Sequence, residues 1–410
     1  MLESMHKFFE VAAAFFVNHL IKRSIIMRKT TFIIWLFLFS LIMPAHGKIL
    51  IPAPPALAAT AWILIDANTG KVLIEHNADQ QLPPASLTKI MTSYLVASDI
   101  DSGKISEDDQ VPISVAAWKM GGSKMFVREG TRVPVIDLLR GVVVQSGNDA
   151  SVALAEYLAG SETAFADVMN QQAALLGMSG THYNNATGWP DEGHVTTARD
   201  LALLSRALIQ NHPRHYGIYA EKYFKFNGIN QPNRNRLLWR DSSVDGLKTG
   251  HTEEAGYCLV SSASRKGMRL ISVVMGASTE SARAQETQKL LAYGFRYYET
   301  GKFYAAGDVA QEDARVWYGV TDKINLIVSE DVYLTIPQGS QKDLEAKILL
   351  DETIEAPISE GQELGKMFIS FENELLVELS IVAQQAIDEA GLFARLWDSV
   401  EILFRDAQEE

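Results

Sequence analysis

Ser86-Leu87-Thr88-Lys89, Ser146-Gly147-Asn148 and Lys248-Thr249-Gly250 occur in this order, and each sits in a local setting that limits what it can become. The first follows the punctuating Pro83-Pro84 and opens a segment whose apolar residues (Leu87, Ile90, Met91, Tyr94, Leu95) have helical spacing. That predicts a serine near a helix N-terminus. Residues i and i+3 share a helix face, so the Lys89 amine comes beside the Ser86 hydroxyl. The third string stands just before an apolar strand pattern. A lone S-x-x-K is weak, since Ser4-Met5-His6-Lys7 also satisfies it. All three in order, each in the context its chemistry needs, are a strong signal.

The chemistry follows from the residue types. A serine hydroxyl is a poor nucleophile until a base takes its proton, and a lysine can be that base only when neutral. Burial and the positive charge of Lys248 would both lower the Lys89 pKa and supply the neutral fraction. Ser146 would relay a proton to a leaving amine, while Asn148 would hold Lys89 or a substrate amide. Backbone N–H groups at the start of the Ser86 helix and on the strand after Lys248-Thr249-Gly250 are candidates for an oxyanion hole. No step calls for a cofactor or a metal.

The chain has 410 residues, enough for two domains. Met27-Arg28-Lys29, the apolar run 32–43 and Pro44-Ala45-His46-Gly47 read as a secretory signal over 27–47, too short to span a bilayer. Residues 1–26 read as an over-extended N-terminus. A hairpin is expected from Ala61-Trp62-Ile63-Leu64-Ile65-Asp66, the turn Asn68-Thr69-Gly70 and Lys71-Val72-Leu73-Ile74. Helices are expected over 137–158, 164–177, 197–210 and about 279–298, and apolar strands over 255–263 and 268–277. A sheet flanked by helices suits 48–302. Short strand-like runs (316–318, 332–336, 346–350, 368–371, 375–379) predict a small all-β domain over 303–388. Cys258, the only cysteine, excludes an intrachain disulfide and reads as a buried strand residue.

Charge is uneven. Residues 48–302 carry 25 basic and 25 acidic side chains, whereas 303–410 carry 7 and 23, so the second part holds the whole net charge of that span. A nucleic-acid partner is excluded for want of a basic face. At 391–406 an amphipathic helix is expected, with Leu392, Phe393, Leu396, Trp397, Val400, Leu403 and Phe404 forming one apolar stripe and Arg395, Asp398, Ser399 and Glu401 opposite. Ile402 falls off the stripe. Such a pattern fits either a helix lying in a membrane interface or one packed on the second domain.

The three strings, together with Pro84-Ala85-Ser86-Leu87-Thr88-Lys89, Gly122-Ser123-Lys124-Met125-Phe126, Thr197-Ala198-Arg199-Asp200 and Lys248-Thr249-Gly250-His251-Thr252, resemble the low-molecular-mass penicillin-binding proteins that act as serine-type D-alanyl-D-alanine carboxypeptidases. The likeness runs from about Ala61 to the C-terminus. It implies an α/β (α+β) catalytic domain of the β-lactamase/transpeptidase type, a β-rich second domain and a C-terminal amphipathic anchor at the periplasmic face of the inner membrane. Its implied partners are peptidoglycan pentapeptide stems, β-lactams as covalent inhibitors, and the membrane surface. The resemblance also names the backbone donors of Ser86 and His251 as the oxyanion hole and puts Arg283 beside Lys248 and Thr249 as a clamp for the substrate carboxylate. By itself, an Arg on a helix is as readily just solvated. Lys124 and Arg199 receive no role.

Two other readings compete. A class A-like β-lactamase shares the motifs but needs a carboxylate to activate the deacylating water, typically within E-x-x-L-N. No such string lies between Asn148 and Lys248, although Glu192 falls in a suitable stretch. A non-catalytic wall-binding scaffold is opposed by intact Ser86, Lys89, Ser146 and Lys248, since losing one member of such a unit disables it.

Overall fold

The structure, a computed structural model, describes residues 51–409, with side chains up to 403 in the last helix. The segments read as an over-extended N-terminus and a secretory signal lie outside the described residues. The first part is built on β1 (Ala61–Asp66), β2 (Val72–His76), α1 (Lys89–Asp101), α2 (Asn148–Ala159), α3 (Glu162–Leu175), α4 (Ala198–Asn211), β3 (Val244–Thr252), β4 (Gly256–Arg265), β5 (Met268–Ala277) and α5 (Glu280–Tyr297). The strands form one antiparallel sheet in the order β2-β1-β5-β4-β3. Alternation decides which core each residue joins. Ile63, Ile65, Ile271, Val273 and Met275 point to the core shared with α1 and α4. Trp62, Leu64, Leu270 and Val274 point to the core under α5. With both faces covered, these strands read as continuous apolar runs. Gly294 lets α5 lie close, because a Cβ there would stand 2.6 Å from Leu270 and 2.9 Å from Leu64.

The long helix expected over 137–158 is broken. A helical run over 135–145 ends at Ser146, which takes a left-handed conformation (φ 63°), and α2 starts afresh at Asn148. Periodicity did not show this because the apolar pattern continues across the break.

The second part contains β6 (Tyr298–Tyr304), β7 (Val309–Arg315), β8 (Lys323–Val328), β9 (Val332–Pro337), β10 (Leu344–Leu350), β11 (Glu363–Phe371), β12 (Glu374–Ala383) and the final helix α6 (Leu392–Glu409). Strands β7-β8-β12-β11-β10 make one sheet, β6 pairs with β9, and together they enclose a separate apolar core. The run 316–318 is not a strand, since Trp317 makes only an isolated bridge to Glu355. Asp66 joins the two parts. Its buried carboxylate accepts from Thr69 and Asn68 within the β1–β2 turn and from Thr300 Oγ1 on β6 at 2.7 Å.

Candidate active site

A single turn of 3₁₀-helix, Ala85–Thr88, runs into α1 and presents Ser86 at its mouth. Lys89 is fully buried, and its Nζ lies 3.1 Å from Ser86 Oγ and 2.5 Å from the Thr187 carbonyl, which accepts from it. Burial is the main cause that pushes the Lys89 ammonium down to about 7, and the cation Arg234 adds to it, against the opposing carboxylates Asp149 and Glu162. A large share of Lys89 is therefore neutral near pH 7, as a base for the serine proton requires.

The Thr187 carbonyl is held in place by its own loop. Asn185 Oδ1 accepts from the N–H groups of Thr187, Gly188 and Trp189, and Glu162 accepts from Ala186 N at 3.1 Å. Gly188 (φ +78°) packs directly on the backbone of Ala85, where a Cβ would stand 1.7 Å from the carbonyl oxygen.

Ser146 and Gly147 form the break before α2. The Ser146 hydroxyl is buried and has no hydrogen-bond partner among the described residues, yet it lines the same cleft as Ser86. A left-handed non-glycine and an orphaned buried hydroxyl both cost stability, and such features cluster at functional sites. Asp149, next but one to Gly147, is buried and accepts from the N–H groups of Met125, Phe126 and Val127, so it shapes the loop that carries Ser123 into the cleft.

The strand β3 closes the opposite wall. Gly250 allows it to lie against the Ser86 turn, because a Cβ there would meet Pro84 O at 3.0 Å and Leu87 at 3.2 Å. Thr249, Gly250 and His251 line the cleft. The His251 ring is exposed and rests on Tyr257 with centroids 4.0 Å apart. Arg283, on α5, is buried and not merely solvated; its Nη1 donates to the Gly250 carbonyl at 3.2 Å and its side chain lines the cleft.

Lys248 and Asn148 make contacts that their motifs do not show. Lys248 is buried, its Nζ donates to the Thr249 carbonyl at 3.1 Å, and burial first, then Lys89, Arg234 and Arg283, hold its pKa well below the usual lysine value. Two desolvated amines in one cleft each disfavour the other's proton, and Arg234 adds its positive charge to the burial that depresses Lys89. Asn148 does not hold Lys89 in this structure: its amide donates to the Gly121 carbonyl at 2.8 Å and packs under Gly122.

Arg234 was not found by sequence reasoning. It sits in a loop without a motif, and only folding brings its Nε to the Gln145 carbonyl at 3.0 Å and its guanidinium to the cleft. Glu192, the residue open to a deacylating role, lines a separate cavity of about 480 Å³ behind Pro84 and Ala85. Lys124 and Arg199 make local contacts, the former to Trp118 O at 3.0 Å and the latter to Glu75 and Asp79. Cys258 is buried in β4, and burial pushes its thiol up to about 11, which makes it inert. Among the described residues no group of His, Cys, Asp and Glu could hold a metal ion.

The cleft occupies about 770 Å³. Ser86, backed by Lys89, lines it together with the unpartnered Ser146 and the guanidinium groups of Arg234 and Arg283. This set suits acyl transfer from a substrate that ends in a carboxylate.

Residues 49–279 match the D-alanyl-D-alanine carboxypeptidase family of peptidases, and residues 298–389 match the penicillin-binding protein 5 C-terminal domain. The chain is 44% identical over 366 residues to D-alanyl-D-alanine carboxypeptidase DacA of Escherichia coli, covering 87% of this chain and 90% of that protein. The crystal structure of penicillin-binding protein 5 from Haemophilus influenzae is similar with a TM-score of 0.77 at 42% identity, over 82% of this chain and all of that one. Penicillin-binding protein D2 from Listeria monocytogenes, solved in its ampicillin-bound form, is similar at 35% identity and a TM-score of 0.55, over 59% of this chain. By these matches, with the fold and the cleft just described, the chain belongs to the serine D-alanyl-D-alanine carboxypeptidase family of penicillin-binding proteins.

Proposed function

We propose that this chain hydrolyses the terminal D-Ala-D-Ala bond of peptidoglycan pentapeptide stems through a Ser86 acyl-enzyme, and that β-lactams acylate the same serine. The observation that carries the reading is the buried Lys89 amine, pushed down to about 7, at 3.1 Å from Ser86 Oγ. Neutral Lys89 takes the serine proton as Ser86 Oγ attacks the penultimate carbonyl carbon. The developing oxyanion is met by backbone N–H groups of Ser86 and His251. Ser146, its hydroxyl free of internal partners, passes a proton to the departing D-alanine nitrogen. The departing carboxylate is met by Thr249 and Arg283, with Arg234 nearby; Lys248 holds the strand carbonyl and orders this end of the site. Asn148 fixes the Gly121–Gly122 backbone through its Nδ2. Water then releases the acyl group. The β-lactamase and idle-scaffold readings gain no support from the relatives. Incubation with diacetyl-Lys-D-Ala-D-Ala is expected to release D-alanine, and folded protein that releases none contradicts the reading.

The domain assignment proposed with it is 48–302 for catalysis, 303–388 for the β-rich module and 391–406 for anchoring on the periplasmic face of the inner membrane after export. No helix among the described residues is long and apolar enough to cross a membrane. Support for an interfacial anchor comes from the way α6 meets the β-rich part. Its polar face makes the contact: Asp398 accepts from Tyr318 N at 2.6 Å, and Arg315 reaches Asp398 at 3.6 Å and Glu401 at 3.3 Å. The apolar stripe faces away, with Phe393 88% and Trp397 67% exposed. A helix packed on the domain by its stripe would show the reverse. The side chain of Phe404 lies outside the described residues, and Ile402 is half-buried, off the stripe. Full-length mature protein is expected to float with liposomes at low and high salt alike, because burial of apolar area and not charge drives the contact. A chain cut after Ala390 should stay soluble. Loss of flotation in high salt contradicts the anchor.

A further inference from the structure

We propose that the leaving-group end of the cleft contains a second anion subsite, centred on Arg240, that takes D-residues carrying a carboxylate beyond the one at their α-carbon. This rests on the Ser86 acyl-enzyme reading and adds a substrate class to it. The cleft opens into a side lobe of about 210 Å³, and the two spaces share Arg234, Arg236, Arg240, Thr249, Glu280 and Arg283. Neither Ser86 nor Ser146 lines the lobe, so it lies beyond Thr249, on the side of the departing residue.

The charge balance there is uneven. Four guanidinium groups face one carboxylate, Glu280, which already stands 2.8 Å from Arg236 and 3.8 Å from Arg283. Arg283 donates to the Gly250 carbonyl and Arg234 to Gln145. The Arg240 side chain, exposed at the end of the helical turn Leu237–Arg240, has no hydrogen bond or ion pair among the described residues. A single α-carboxylate is served by Thr249 and Arg283, which leaves a surplus of positive charge in a concave space. Like charges crowded this way repel unless an anion joins them, and a concave wall focuses their field. Leu259 and Ala284 form an apolar strip in the lobe that suits the methylenes of a D-glutamate-like side chain. The bond broken is the same D-alanyl amide: the acidic D-residue leaves as a free amine with the proton from Ser86, and water hydrolyses the ester.

The experiment measures kcat/KM on full-length mature protein for diacetyl-Lys-D-Ala peptides ending in D-Ala, D-Glu or its neutral isostere D-Gln. A D-Glu over D-Gln preference of about two- to fivefold is expected, the size of one favourable exposed charge pair, and it should shrink in high salt. In Arg240→Ala the preference should fall towards one, and in Arg240→Glu it should invert, with D-Ala-D-Ala cleavage unchanged in both. A cross-linked stem dimer, whose leaving residue is a branched D-amino acid with its own carboxylates, is the fourth substrate. Cleavage of the dimer that weakens in Arg240→Ala identifies cross-links as the carrier of the second carboxylate; preference confined to D-Glu identifies a terminal acidic residue. If D-Ala-D-Ala is cleaved while neither substrate responds to Arg240, the subsite is refuted. If D-Ala-D-Ala itself is not cleaved, the acyl-enzyme reading fails instead.

Discussion

Lys89→Ala protein is expected to remain folded yet to lose acylation by benzylpenicillin by about 10⁴-fold or more, the scale seen when one member of a nucleophile–base unit is removed. In the unaltered chain the acylation rate should rise with pH through about 7, because the reactive form is the neutral amine. Lys248→Ala should also abolish acylation, and Lys248→Arg should rescue it poorly, since a planar fork does not replace a compact amine in a buried site. The same burial has a stability cost. The folded-state pKa is depressed from 10.5 to about 7, so the unfolded chain binds the extra proton between these values and stability falls as pH drops from 10.5 towards 7. At pH 7 that amounts to roughly 4 kcal/mol. Lys89→Met, which keeps the volume and removes the charge, should therefore melt higher than the unaltered chain at neutral pH. Fast acylation of folded Lys89→Ala at neutral pH would refute the base assignment.

Gly188→Ala is the second substitution expected to have a large effect, and it touches neither Ser86 nor Lys89. The new Cβ would overlap the Ala85 carbonyl oxygen at 1.7 Å and come within 2.9 Å of Thr88 Oγ1, at a φ of +78° that side chains resist. The loop 184–189 must move off the Ser86 turn and carry the Thr187 carbonyl away from Lys89. Overpacking with backbone strain predicts a loss of about 3 kcal/mol in urea unfolding. Misplacement of the base predicts acylation slowed by about 10²-fold. Gly193→Ala is the control: its φ is +80°, but nothing lies within 4 Å of the added Cβ. It should show only the backbone penalty, about 1 kcal/mol, with acylation unaffected. Equal effects of the two substitutions would contradict the close-approach argument.

Local chemistry that the sequence spells out was legible, and chemistry that arises from tertiary approach was not. β5 spans the 268–277 run because both faces of that strand are covered and its apolar pattern is unbroken. Ser86 and Lys89 could be placed together because i, i+3 spacing survives the 3₁₀ turn that opens α1. By contrast, the break at Ser146 and the Asp149 carboxylate that gathers three N–H groups of a distant loop just after it are features no periodicity reveals. Arg234 and the Thr187 carbonyl reach Lys89 from loops 145 and 98 residues away, and neither loop carries a recognisable pattern. Lys248 illustrates the same limit: its sequence suggests a cation, whereas burial beside a second amine disfavours that charge.

Whether Ser86 carries the acyl group is read by peptide-mapped mass spectrometry after brief exposure to benzylpenicillin. A β-lactam offers the same nucleophile and carboxylate clamp a strained amide and a carboxylate. One penicilloyl adduct per chain is expected, confined to the peptide that contains Ser86 and absent from Ser86→Ala. An adduct that persists in Ser86→Ala, or one mapped to another serine, would remove Ser86 as the nucleophile.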